Sequence, residues 1–316
     1  MRCIPHWRAL AAIAAFAICA AGCGSSAGSG PAKAASPASN GTFPVTITTP
    51  DGVGQIKSRP TAIVSLSPTA TEMLYAIGAG QQVKAVDSLS DYPVNAPLTK
   101  LSAFQPNVEA IVADQPDLVV ISNNINGLEK KLAAFSIPVL DLAAPANING
   151  EYSEFEQLGR VTGHVAQAQR EVASLRSQLA RIVASVPKQS KPLSYYYELD
   201  QTYYSVTSST FVGSLLSLLG MKSIADAASG AASSGGYPQL SAEFIVKANP
   251  DYIILADTVC CHQSPTTVAS RPGWSNLAAV KAGHVISLND DIASRWGPRI
   301  VDLLQTVASG ISKGTG

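Results

Sequence analysis

The chain's most reactive run is Cys260-Cys261-His262. Two adjacent thiols in an oxidising compartment either close a strained vicinal disulfide or remain free. A histidine beside them raises the question of metal binding. His164, His262 and His284 are scattered without ligand spacing, so no protein-held metal is expected and the pair reads as a redox-sensitive loop. Ser65-Leu66-Ser67-Pro68 lacks the glycine-flanked serine of a hydrolase elbow, and no Gly-rich phosphate loop follows a strand. Asp291 and Arg295 stand four apart, which on a helix places both on one face. Glu109 and Glu243 each lie near the start of a short helical segment, where the helix dipole favours a carboxylate. These groups are equipped to bind rather than to catalyse, and no enzyme activity is expected.

The elements that must position them begin after a leader. Arg2 and Arg8 precede an uncharged apolar run, Ala9 to Ala21, too short for a comfortable membrane span. Residues 1–22 therefore read as a secretory signal. Ala20-Ala21-Gly22-Cys23 resembles a lipobox, which makes Cys23 the lipidated N-terminus. Gly24 to Gly41 is almost only Gly, Ser, Ala, Pro and Asn, and such a segment cannot bury enough apolar surface to offset its ordering entropy. Residues 23–44 form a lipidated start and flexible tether. Charged residues make up 14% of the chain and the formal net charge is zero, which gives no nucleic-acid surface.

From residue 45, β-branched runs alternate with helical patterns. Ala62–Leu66, Val83–Val86, Leu118–Ile121 and Val139–Leu142 read as strands. So do Leu193–Leu199, Tyr203–Val206, Tyr252–Ala256 and Val285–Leu288. Helices are expected at 69–77, 108–113, 128–135, 211–219, 242–248 and 298–311. This alternation predicts parallel sheets covered by helices. Between Ser153 and Val186, apolar residues recur at spacings of three and four, predicting one helix of roughly 45–50 Å. Asn107–Ile121 and Ser241–Leu255 align without a gap, pairing Glu109 with Glu243 and Pro116-Asp117 with Pro250-Asp251. Such duplication predicts two related lobes, 45–152 and 187–316, joined by the helix 153–186.

Ser65-Leu66-Ser67-Pro68-Thr69-Ala70-Thr71-Glu72, the paired Glu…Pro-Asp segments and the long middle helix resemble the helical-backbone class of ABC-importer binding proteins. Within that class the chain most resembles the branch that binds vitamin B12. Asp91-Tyr92-Pro93 resembles that branch's Asp-Tyr-Pro loop. Phe104-Gln105 and Tyr237-Pro238-Gln239 stand where it has Trp-Gln and Trp-Pro-Gln. Asp291…Arg295…Pro298-Arg299 resembles its Asp…Arg…Pro-Arg segment.

The resemblance implies two Rossmann-like lobes with the ligand in the cleft between them. It implies ligand contacts from Tyr92, Phe104, Tyr237, Asp291 and Arg295, with Tyr204 and Val206 as further candidates. Glu109 and Glu243 would dock arginines of a two-fold symmetric permease, served by an ATPase. The chain would act as a monomer without a cofactor of its own, cobalt or iron arriving only inside a corrinoid or siderophore. An iron–siderophore or haem ligand, a surface sensor and an extracellular hydrolase are the alternatives. A continuous helix between the lobes predicts small closure.

Overall fold

Val45–Thr49 (β1) and Gly52–Ile56 (β2) pair antiparallel, with Ile47 and Ile56 buried beneath. They belong to a computed structural model that describes residues 41–49 and 52–314; the signal segment, Cys23 and nearly all of the tether lie outside the described residues. The first lobe continues with Ile63–Leu66 (β3), Pro68–Ala76 (α1), Val83–Val86 (β4), Val108–Ala113 (α2), Leu118–Ile121 (β5), Leu128–Ala133 (α3) and Val139–Asp141 (β6). The connection is Ile148–Thr162 (α4) and Val165–Ser185 (α5). The second lobe holds Leu193–Glu198 (β7), Phe211–Leu218 (α6), Met221–Ser223 (β8), Ala242–Ala248 (α7), Tyr252–Leu255 (β9), Pro265–Ala269 (α8), Ala278–Lys281 (α9), Val285–Ser287 (β10), Asp290–Ser294 (α10) and Ile300–Gly314 (α11).

The two four-stranded sheets are parallel throughout and share one topology. Spatial order is β4-β3-β5-β6 in the first and β8-β7-β9-β10 in the second. β3, β5 and β9 are buried at every residue, as expected where helices cover both faces of a parallel sheet. Successive side chains alternate between faces. Ile63, Leu118 and Val120, with Tyr195, Tyr197 and Ile254, enter one large core shared with α4, α5, α6 and α11. Val64, Val119 and Ile121 pack on the opposite face beneath α2 and α3. Tyr196, Ile253 and Leu255 do the same around Trp274.

The single helix expected over 153–186 is two helices. Gly163 adopts φ +74°, closing α4 in the left-handed conformation. The Thr162 carbonyl accepts from Arg59 Nε (3.0 Å) and Gln82 Nε2 (3.3 Å) instead of from a further helical turn. Gly159 permits the two helices to touch: a Cβ there would lie 2.5 Å from that of Ala168. The apolar periodicity survives the break because both helices bury the same stripe, Leu158 and Val161 on α4, then Ala168, Val172, Leu175 and Leu179 on α5. The interlobe strut is therefore α5 alone, 21 residues or about 30 Å. Tyr203–Val206, expected as a strand, makes only an isolated bridge from Tyr204 to Gln239, with Tyr203 at φ +70°.

Candidate functional site

A sheet of order 2-1-3-4 reverses its winding between its first and third strands, and crevices open there at the strands' carboxyl ends. In the first lobe that point lies between β3 and β5. A cavity of about 320 Å³ occupies it, floored by Leu66, Ser67, Ile121 and Asn123, walled by Leu89 and Phe104, and roofed by Asp291, Arg295 and Trp296. Local sequence explains the floor: Ser67 caps α1, its Oγ accepting from Ala70 N (3.2 Å), and Pro68 fits the first helical turn. The chain must therefore turn sharply where β3 ends, which leaves its carboxyl edge open.

The roof is pinned to the first lobe by two arginines. Arg295 donates to Glu72 Oε1 (3.0 Å), Asp91 Oδ1 (3.1 Å), the Leu89 carbonyl (3.1 Å) and Asp291 Oδ1 (2.6 Å). Arg299 donates to both oxygens of Glu72 at 2.8 and 2.5 Å and lies 4.3 Å over the Tyr92 ring. Glu72 is fully buried, so these charge-assisted bonds satisfy a carboxylate otherwise costly to enclose. Trp296 adds a third tie, its indole donating to Glu154 Oε2 (2.9 Å) on α4. Burial, with Asp141 nearby, holds the Glu154 carboxyl at about 8 despite that bond.

Beneath the cavity runs a chain of hydroxyls. Thr71 Oγ1 lies 2.9 Å from Ser65 Oγ and 3.0 Å from Ser90 Oγ, and Ser90 Oγ donates to Asp87 Oδ1 at 2.5 Å. Asp87 borders the cavity, is fully buried, and its Oδ2 has no hydrogen-bond partner. Burial raises its pKa, opposed by the Ser90 bond, by the backbone N–H groups of Leu89 and of Asp87 itself, and by the charge on Arg295.

The equivalent point of the second lobe, between β7 and β9, is filled by its own side chains. Glu198 at the end of β7 is fully buried and takes both Arg271 Nη atoms, at 2.5 and 2.6 Å. Arg271 also donates to Gln263 Oε1 (2.7 Å) and lies 4.6 Å over Trp274. Asp257, just past β9, is buried with both oxygens unpartnered; burial, and next the charge on Glu198, push its pKa up to about 7.

Two parallel sheets of one order, with a cleft at their carboxyl ends, are an architecture shared with known proteins. The profile of the periplasmic binding protein family matches residues 63–292. The chain belongs to that family. An uncharacterised ABC transporter substrate-binding lipoprotein of Bacillus subtilis is 31% identical over 313 residues, 95% of each chain. A cobalamin-binding protein of Halobacterium salinarum is 30% identical over 286 residues, 86% of this chain and 75% of that one. Among solved structures, a possible iron-binding periplasmic solute-binding protein of Staphylococcus epidermidis superposes with a TM-score of 0.69 at 26% identity, covering 80% of this chain and 99% of that one. These relatives are binding proteins, and the expected two-lobed helical-backbone class is what the chain adopts.

As a periplasmic binding protein, the chain brings together only part of the expected ligand set. Phe104, Asp291 and Arg295 line the cavity. Tyr92 lies under Arg299 and is exposed. Tyr204 and Tyr237, also exposed, sit on two second-lobe segments that run antiparallel, Ser205 N donating to the Pro238 carbonyl (3.0 Å). Val206 is a correction: it is fully buried in the main core, because the segment does not continue as a strand with alternating faces.

Asp291 and Arg295 are four apart, but α10 ends at Ser294 and Arg295 is extended, so the arginine turns toward the first lobe. Glu109 and Glu243 are both exposed at the second position of α2 and α7. Glu243 ionises more readily than usual because its own backbone N–H and the Ser241 hydroxyl donate to it.

Of the two forms the sequence allows for Cys260 and Cys261, the structure holds the unbridged one. A hydrogen bond to Cys261, then burial and Asp290, push the Cys260 thiol up to about 12, and its amide donates to Asp290 Oδ2 (2.7 Å). Such a thiol is a poor nucleophile at neutral pH. No group of three or more metal-ligating side chains occurs among the described residues, and no helix among them is long and apolar enough to cross a membrane.

Sequence reasoning missed Leu66, Asp87, Leu89, Asn123 and Trp296. The signal was topological: all but Trp296 lie at or beyond the carboxyl ends of β3, β4 and β5.

Proposed function

We propose that this chain is the extracytoplasmic cargo-binding component of an ABC importer, tethered to the membrane by a lipid on Cys23, and that it carries a corrinoid. The observation that supports this most is the cavity at the first lobe's switch point, which combines the apolar Leu66, Leu89, Phe104, Ile121 and Trp296 with the polar Asp87, Asn123, Asp291 and Arg295. Ligand sites of this kind combine apolar area with a few placed polar groups. Phe104 offers a face for the corrin ring, with Tyr92, Tyr204 and Tyr237 as further aromatic surface. Asp87, Asn123 and Asp291 offer partners for its amide edge. The cobalamin-binding relative supports the same ligand. The chain works as a monomer and needs no cofactor of its own; cobalt enters only within the cargo.

Delivery is assigned to Glu109 and Glu243. Each is exposed at the same position of equivalent helices, which suits two arginine pockets on a two-fold symmetric permease coupled to its ATPase. Reversing both charges should abolish uptake and leave ligand affinity unchanged.

Iron–siderophore binding is the second reading, supported by the likeness to the possible iron-binding protein. Isothermal titration with cyanocobalamin and with a ferric hydroxamate separates the two. Tight one-to-one binding of cobalamin alone establishes the corrinoid; binding of the hydroxamate alone keeps the transport role and replaces the cargo.

A further inference from the structure

The polar groups around the cavity have an unusual balance of charge. Glu72, Asp87, Asp91 and Asp291 face only Arg295 and Arg299. Both guanidiniums are already engaged: Arg295 by three carboxylates and a carbonyl, Arg299 by both oxygens of Glu72. Among the described residues that line the cavity there is no lysine and no other arginine. A ligand carboxylate or catecholate would have to compete with these carboxylates for a cation.

The second observation is Asp87 itself. Its Oδ1 is held by Ser90, itself in contact with Thr71; the residue borders the cavity, and its Oδ2 is buried with no side-chain hydrogen-bond partner. A buried polar atom left unmatched is costly, and a donor that matches it recovers that cost on binding. Asp87 is fixed by Ser90, and its second oxygen is the acceptor that a donor entering this end of the cavity would match. No sequence motif pointed to it.

We propose that Asp87 is a specificity-determining residue: the cleft selects neutral or cationic ligands that present N–H or O–H donors, such as primary amides, and rejects polyanionic ones. This rests on the reading of the cleft as the cargo site, and it names the class of ligand that site takes. A corrinoid with its side-chain amides intact fits; the same ring with those amides hydrolysed to carboxylates does not.

The test is isothermal titration at pH 7 of the full chain in mild detergent, wild type and Asp87→Asn, with cyanocobalamin and with the corrinoid whose amides are hydrolysed. Wild type should bind the amide form at least about tenfold more tightly, and Asp87→Asn should narrow that gap to within about threefold. Equal or tighter binding of the acid form by wild type overturns the proposal. An unchanged gap in an Asp87→Asn protein that melts like wild type removes Asp87 as the selector.

A wild-type series with a cationic ferric trihydroxamate and a trianionic ferric tris-catecholate needs no variant. If neither corrinoid binds, the corrinoid reading fails. Preference for the cationic complex then still upholds the proposal, whereas preference for the trianion, or binding of none of the four, ends it.

Discussion

The two lobes are copies at one end of their strands and strangers at the other. At the amino ends the repeat is kept in detail. Asn107 and Ser241 cap α2 and α7, accepting from Ala110 N (2.9 Å) and Phe244 N (3.1 Å). Asp117 accepts from Thr61 N, Thr61 Oγ1 and Ala62 N at 2.8–3.1 Å, clamping the approach to β3. Asp251 accepts from Ser194 N and Oγ at 2.8 and 2.7 Å, clamping β7 in the same way. At the carboxyl ends the first lobe holds a cavity, and the second holds Glu198, Arg271 and Trp274. The duplicated scaffolding shares its structural joints, while the two carboxyl edges differ, one holding a cavity and the other a buried ion pair.

That contrast breaks most sharply at Arg271. Arg271→Met leaves Glu198 charged, buried and unpaired, which should cost about 3–5 kcal/mol, read as a lower urea midpoint. Adding Glu198→Gln should recover much of it. A loss below about 1 kcal/mol would mean that the second lobe's switch point is loosely filled, and the contrast with the first would fall.

The joint between the lobes gives the next effect. Burial, with Asp141, raises the Glu154 carboxyl from 4.5 to about 8, and burial, with Glu154, raises Glu151 in the same direction. Between those values the folded state holds a proton that the unfolded chain has lost. Stability should therefore fall as pH rises from 4.5 to about 8, Glu154 contributing on the order of 3 kcal/mol. Glu154→Gln should make that slope shallower in melting curves, with Glu151 and Asp257 supplying the remainder, and a wild type more stable at pH 8 than at pH 5 would contradict it.

The smallest effect tests the likeness rather than the difference. Asp117→Ala and Asp251→Ala should each cost about 1–2 kcal/mol, by similar amounts. Neither should alter ligand affinity, because both act at the strand ends away from the cavity.

The same division explains what could be read from the chain. Repeat, strands and caps are local patterns, so Asn107–Ile121 and Ser241–Leu255 were legible as a pair. Phe104, Asp291 and Arg295 were legible through resemblance. The filling of the second lobe was not, because Glu198 meets Arg271 across 73 residues of sequence. The break at Gly163 was hidden for the same reason: periodicity continues through it, and Arg59, which binds the end of α4, lies 103 residues upstream. Val206 was misplaced because one isolated bridge, not a strand, follows β7.

The arginines at 295 and 299 also set an order of events. Glu72 belongs to a lobe whose four strands are complete by residue 141, yet its hydrogen-bond partners lie 223 and 227 residues further on. Domains fold broadly in the order in which the ribosome makes them. The first lobe must then spend its early life with an ionisable group in its cleft wall awaiting a counter-charge, and only the last stretch of chain to emerge can close the ring. The same stretch carries α11, so the clasp and the last helix of the shared core arrive together.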